Sequence, residues 1–381
     1  MISRTANLYR QLGVKRVINA RGSTTIVGGS MLSEEVLAAI AEANSHYVEM
    51  EELLAKSGQA AAELLETDAA LITSGCFAAL VLGAASIMAG KDPDKISRLP
   101  DTTNMRNEFL VQKKTRLRYD RCISVAGGKL IDVGDEYGTT TEDLEAAMGP
   151  DTAGILYFAQ EEDAEGVLTI PEVVDIAKRN DLPVLIDAAA EVYPLARITG
   201  VAKSGADLVC FSGKYLGSAQ SSGILCGRKD LVEAASLNNF ISFEVEGSES
   251  FGNAIGRGYK IDRQEIIATV VALREWLTMN HEERFAIQER RIQTIESALK
   301  GLPYVTTEHV WERQGHSMDL LITVDEEALD KKHESILEEL RRGDPCILIG
   351  MKQGSLRVRV HNLMEGEDLV VAKRLQQLLS G

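Results

Sequence analysis

The chain has 381 residues, 45% of them hydrophobic and 26% charged, with a formal net charge of −16. That supplies apolar material for a large core and about two domains, while the acidic balance argues against a nucleic-acid partner. No stretch approaches 18 continuous apolar residues, residues 1–10 lack the apolar run of a secretory signal, and the five cysteines contain no C-x-x-C pair; membrane, disulfide and metal frameworks are therefore not expected, and a reducing cytoplasm is.

In chain order, residues 1–45 have no place in the large-domain sheet order and are expected to pack on a small domain or on a partner subunit. Residues 69–73 predict a buried strand and 76–89 the helix after it. Strands follow at 108–112 and 129–133, with a short helix between them. Thr139-x-x-Glu142 has capping-box spacing and opens a helix. Residues 153–159 predict a strand, and Thr169-x-x-Glu172 caps a helix running to about Asn180. Strands at 183–188 and 207–212 flank a helix ending near Ser204, and 222–227 predicts one more strand. These runs are near-continuously apolar, as expected when helices cover both faces of a sheet. Strand–helix repetition of this kind predicts an α/β domain with a mostly parallel sheet over residues 46–260. Asp262-x-x-Glu265 opens a long helix through Met279, and a second helix spans residues 281–300. Residues 261–381 are expected to form this linker and a small C-terminal α+β domain, with strands at 304–311, 319–324 and 355–360 and helices at 326–342 and 367–379.

Three segments carry chemistry. Ser74, Gly75 and Cys76 lie between a strand and a helix, where exposed backbone N–H groups and the helix dipole favour an anion; an ordinary strand–helix turn has the same pattern. Asp187 ends an apolar, doubly covered strand, where an unpaired acid is costly and where open α/β sheets bind ligands. Lys214 follows another strand in a Gly/Ser-rich turn, and a desolvated lysine there becomes a nucleophile toward carbonyls. An anion turn, a buried acid about 110 residues later and a strand-end lysine 27 residues after that (187 to 214) are the parts needed to hold pyridoxal 5′-phosphate (PLP): a phosphate cradle, a partner for the pyridinium nitrogen and an imine-forming lysine.

The stretches at residues 17–19, 50–58, 69–80, 106–112 with 119–120, 183–190, 205–227 and 255–260 resemble the fold-type I PLP enzymes. Within them they resemble the selenocysteine-synthase-like group, which includes seryl-tRNA selenium transferase and D-glucosaminate-6-phosphate ammonia-lyase. The resemblance looks closer to the ammonia-lyase branch. It implies a PLP-transferase fold and a homodimer or larger assembly acting on a small amino substrate. The implied reaction is elimination of water and ammonia from a hydroxylated amino acid or amino-sugar acid, through a Lys214 Schiff base. Racemisation and β-replacement stay open; tRNA-dependent selenium transfer is disfavoured by the net charge and the lack of a basic N-terminal RNA-binding domain. Residue by residue, it implies that Ser74, Gly75, Cys76 and Ser212 hold the phosphate, that Asp187 pairs with the ring nitrogen and that Ala189 lies under the ring. Gln220, Arg257, Arg357 and Arg359 are implied to face substrate, with Arg357 preferred over Arg359 and Arg257 reaching a partner's site. One departure stands out: relatives carry a histidine in a Q-R-G-H-R segment where this chain has Gln112, Lys113, Lys114, Thr115 and Arg116. His46, His309, His316 and His361 are not placed by sequence, and the basic cluster Lys113, Lys114, Arg116, Arg118 and Arg121 fits either an acidic substrate or a solvated surface.

Overall fold

The computed structural model describes residues 8–242, 244, 253–312 and 317–380. The chain divides into two compact units, Met31–Thr278 and a second made of Met1–Ser30 with Met279–Gly381. Residues 31–45 and 261–278 thus go with the larger unit.

The larger unit is built on a seven-stranded sheet. From edge to edge its strands are Ala69–Thr73, Gly223–Gly227, Leu208–Ser212, Val184–Asp187, Thr152–Phe158, Glu108–Gln112 and Lys129–Val133. The last five are mutually parallel. Gly223–Gly227 runs against both of its neighbours, so Ala69–Thr73 shares the sense of the majority. Every residue of Thr152–Phe158, Leu208–Ser212 and Gly223–Gly227 is buried, which is why these strands lack polar alternation. Helix Cys76–Ala89 is buried on all sides except at Cys76, Phe77 and Ile87. A helix so enclosed fixes the position of its own first turn.

Two sequence expectations move. The capping box belongs to Thr140 and Asp143, opening helix Thr141–Ala146, because the Thr139 hydroxyl is taken by the Val133 carbonyl at 3.0 Å. The helix expected over 326–342 spans only His333–Arg342. Glu326 lies before it and accepts the His333 N–H at 2.5 Å, acting as a remote cap rather than as a helical residue.

The smaller unit holds a four-stranded antiparallel sheet in the order Gly350–Lys352, Ser355–Arg359, Ser317–Val324 and Val305–Glu312. Its core joins Leu320, Ile322, Leu356 and Val358 of that sheet to Ile292 and Ile295 of helix His281–Leu299 and to Val371 and Leu375 of helix Glu367–Leu379. Val17–Asn19 is secured to this unit by parallel pairing with Cys346–Leu348.

Candidate active site

The carboxyl ends of the parallel strands gather the three predicted segments. Register places Gly223 beside Thr73 on one side and beside Ser212 on the other. The turn after Thr73 and the turn after Ser212 therefore flank the start of a single strand. A Cβ at Gly223 would lie 2.4 Å from the Gly75 carbonyl carbon and 2.6 Å from the Cys76 nitrogen, so only glycine admits the approach of the two backbones. Gly75 itself sits at φ +94°, a conformation that L side chains rarely adopt. Beyond it, the Cys76, Phe77 and Ala78 N–H groups begin the helix without a hydrogen-bond partner among the described residues. Three orphan donors at the mouth of a 14-residue helix make a cradle for a phosphate.

Asp187 is the last residue of its strand, in register with Cys210. Its Oδ1 accepts the Ala189 N–H at 3.0 Å and the Cys76 thiol at 3.7 Å. Its Oδ2 has no hydrogen-bond partner among the described residues. Burial raises its pKa from 3.8 to about 6, against the lowering effect of the Ala189 and Cys76 hydrogen bonds. Three thiols, Cys76, Cys122 and Cys210, are held protonated first by burial and then by the charge of Asp187. Ala189 is half-buried and bonded at both ends, its carbonyl accepting the Ser212 N–H at 3.1 Å.

Lys214 lies in the 3-10 turn Gly213–Leu216, two residues past the strand Leu208–Ser212. Burial lowers its pKa, as an amine nucleophile requires. Its Nζ stands 4.9 Å from the centroid of the Tyr215 ring. The turn is supported from behind by Ser222, whose hydroxyl bonds the Ser218 hydroxyl at 3.0 Å, and by the Ser218–Thr269 contact at 3.2 Å.

An open carboxylate oxygen, a lysine of lowered basicity and a phosphate cradle at the carboxyl ends of the strands fit PLP. Sequence reasoning missed what steadies them. Glu191, buried four residues after Asp187, pairs with Arg197 at 2.7 Å, and Arg197 pairs with Glu162 at 2.6 Å. The Trp276 indole N–H bonds the Val192 carbonyl at 2.7 Å. The spacing of Glu191 and Arg197 on either side of Pro194 carried a faint signal of this clamp. Gly223 carried none beyond being a glycine that opens a strand.

The remaining predicted residues are placed less tightly. Gln220 is exposed. Arg257 is exposed and pairs with Glu244 at 3.5 Å. Arg357 and Arg359 belong to the smaller unit. Arg357 bonds Glu312 at 2.5 Å and Asp319 through Nε at 2.6 Å, whereas Arg359 makes longer contacts to the same acids, at 3.9 and 3.3 Å. At the position of the departed histidine, Thr115 is buried and donates to the Gln112 carbonyl at 3.0 Å. Of the basic cluster, Lys113 and Arg116 pair with Glu136, Asp120 and Asp132, and Lys114 donates to the Tyr137 and Glu165 carbonyls. Arg118 and Arg121 are exposed. His46 bonds the neighbouring Ser45 hydroxyl at 2.7 Å and His309 pairs with Glu296 at 3.2 Å. His361 is kept neutral at a pKa of about 3 by burial and by nearby arginines, and His316 lies outside the described residues.

A family model described as L-seryl-tRNA selenium transferase matches residues 17–243. A 5′-C-glycyluridine monooxygenase-decarboxylase from Streptomyces sp is 30% identical over 97% of this chain and 92% of its own length. A D-glucosaminate-6-phosphate ammonia lyase from Salmonella typhimurium is 27% identical over 98% of both. A solved structure of D-glucosaminate-6-phosphate ammonia-lyase superposes on 98% of both chains with a TM-score of 0.85, at 27% identity. An aspartate aminotransferase from Thermotoga maritima, 16% identical, matches over 98% of this chain and 94% of its own with a TM-score of 0.55, a likeness of fold. Among the described residues, no helix is long and apolar enough to cross a membrane, and no group of three or more His, Cys, Asp or Glu side chains could hold a metal ion.

Proposed function

This chain belongs to the L-seryl-tRNA selenium transferase family, and from that premise we propose that it is a lyase removing water and ammonia from a hydroxylated amino acid or amino-sugar acid, with Lys214 carrying the cofactor. It is a PLP-dependent enzyme of fold type I. The observation that carries the proposal is the placement of a lysine of lowered basicity and an acid whose Oδ2 is open among the described residues at the ends of adjacent strands. The likeness to the ammonia lyases over nearly the whole chain supports the choice of reaction.

PLP, when bound, supplies an electron sink that acidifies the substrate Cα–H and allows the β-hydroxyl to leave. The residues of the chain do the rest. Ser74, Gly75, the Cys76 N–H and Ser212 hold the phosphate. Asp187 Oδ2 holds the ring nitrogen, and its charged form keeps that nitrogen protonated. Ala189 supports the ring face. Lys214 would take the Cα proton at Nζ as general base. Gln220 orients the substrate. The net charge of −16 supports a small-molecule substrate over tRNA.

A homodimer completes the proposal, with Arg257 serving the partner's site. Leu8, Tyr9, Leu12, Val14 and Ile26 expose apolar surface along the N-terminal stretch, which a second copy would cover.

A second reading, oxidative decarboxylation, is favoured by the Streptomyces relative. One experiment separates the two. The purified holoenzyme is given D- and L-amino acids and amino-sugar acids, and ammonia, keto acid, oxygen uptake and carbon dioxide are followed. Elimination gives ammonia and keto acid in equal amounts, with or without oxygen. Turnover that consumes oxygen and releases carbon dioxide would reject the lyase.

A further inference from the structure

The two oxygens of Asp187 have unequal surroundings. Oδ1 carries both protein donors, the Ala189 N–H at 3.0 Å and the Cys76 thiol at 3.7 Å, and Oδ2 carries none among the described residues. A carboxylate gripped twice at one oxygen resists rotation about Cβ–Cγ, since turning breaks both bonds. Its other titratable neighbours do not grip it: Glu191 acts on it through charge, and Cys122 and Cys210 lie close without a hydrogen bond to it. Cys76 is thus its one side-chain donor among the described residues.

A thiol is ordinarily a weak donor. Here burial and the adjacent carboxylate keep it protonated, and its backbone is fixed from both directions. Gly223 presses against the Cys76 nitrogen, and the helix that Cys76 opens is enclosed in the core. The side chain therefore has a task separate from that of its backbone in the phosphate turn.

We infer that Cys76 is a positioning residue: its thiol, together with the Ala189 N–H, locks Oδ1 of Asp187 and thereby turns Oδ2 toward the ring nitrogen of PLP. This rests on the proposed pairing of Asp187 with that nitrogen. The consequence is that Cys76 acts only through Asp187, so its effect vanishes when Asp187 no longer holds a charge.

The test is a double-mutant cycle on the holoenzyme, combining Cys76→Ala and Cys76→Ser with and without Asp187→Asn. Three quantities are read: the rate of cofactor release into a scavenger, the pH titration of the bound cofactor's absorbance, and kcat separately from KM. Cys76→Ala should speed release about tenfold, the scale of one hydrogen bond to a charged group. It should also shift the absorbance titration and lower kcat with KM nearly unchanged. Cys76→Ser, which keeps a donor, should recover most of each loss. In the Asp187→Asn background, Cys76→Ala should change none of the three. Equal effects of Cys76→Ala in both backgrounds, or no effect in either, would overturn the inference, because the thiol would then act by packing alone or not at all. Failure of the underlying pairing looks different: Asp187→Asn alone would leave release and titration at wild-type values, and the inference would fall with it. Should Cys76→Ala not fold, Cys76→Val removes the donor while filling the space.

Discussion

Asp187 and Lys214 stand at the carboxyl ends of neighbouring parallel strands, Asp187 as the last residue of one and Lys214 two residues beyond the end of the other. The arrangement places a carboxylate and an amine at the carboxyl end of the sheet without pairing them to each other. Burial raises the acid to about 6 and lowers the amine.

Replacing Asp187 by Asn should keep some cofactor bound through the phosphate turn but lower kcat about 100-fold, the scale seen when one preorganised electrostatic partner is removed. Steady-state kinetics on cofactor-saturated protein measures this. Near-normal turnover would mean that another group holds the ring nitrogen.

The same residue sets a pH signature in the cofactor-free protein. Its folded pKa of about 6 lies above the ordinary 3.8, so the folded state binds this proton more tightly than the unfolded chain does. The stability it contributes is full below 3.8, is lost as the pH rises toward 6, and stays flat above. Urea unfolding of the wild type and of Asp187→Asn across about pH 4 to 7 should show the difference between them falling over that window. A difference independent of pH would contradict the burial of this carboxyl.

Gly223→Ala should displace the phosphate turn, because its Cβ would lie 2.4 Å from the Gly75 carbonyl carbon. Overpacking of this kind costs about 1–3 kcal/mol. Thermal melts and equilibrium dialysis of cofactor should show both lower stability and weaker binding. Unchanged cofactor affinity would mean that the turn relaxes without consequence for the cradle.

Arg197→Met should destabilise the protein by about 3 kcal/mol, since it removes the guanidinium that pairs with Glu191, a carboxylate only 1% exposed. Chemical denaturation measures the loss. A change below about 1 kcal/mol would show that the Arg197 pair contributes little to the fold.

Shared sites predict complementation. Lys214→Ala and Arg257→Ala chains, each inactive alone, should regain activity on mixing, because a hybrid dimer holds one intact site. Light scattering should show at least a dimer. A fully active monomer would reject the shared site, and an inactive mixture with proven subunit exchange would reject the role of Arg257.

Much of the fold was legible because burial on both faces leaves a plain signal. Strands such as Glu108–Gln112 and helix Cys76–Ala89 have the bounds that apolar runs and small-residue turns predict. Boundaries slipped where side chains chose the cap, as Thr140 did over Thr139. The pairing of Val17–Asn19 with Cys346–Leu348 was invisible, since three-residue strands more than 300 residues apart leave no periodicity. At the site, lysine, acid and turn could be named from strand ends alone. The Cys76–Asp187 bond, the Glu191–Arg197 pair and the close approach at Gly223 depend on register between distant segments, which no local pattern encodes.

The most direct test of the account asks which lysine carries the cofactor. Borohydride treatment of the holoenzyme fixes the cofactor to that residue, and peptide mapping by mass spectrometry then locates it. The account predicts a single pyridoxyl group on Lys214. A label on any other lysine, with Lys214 recovered unmodified, would contradict it.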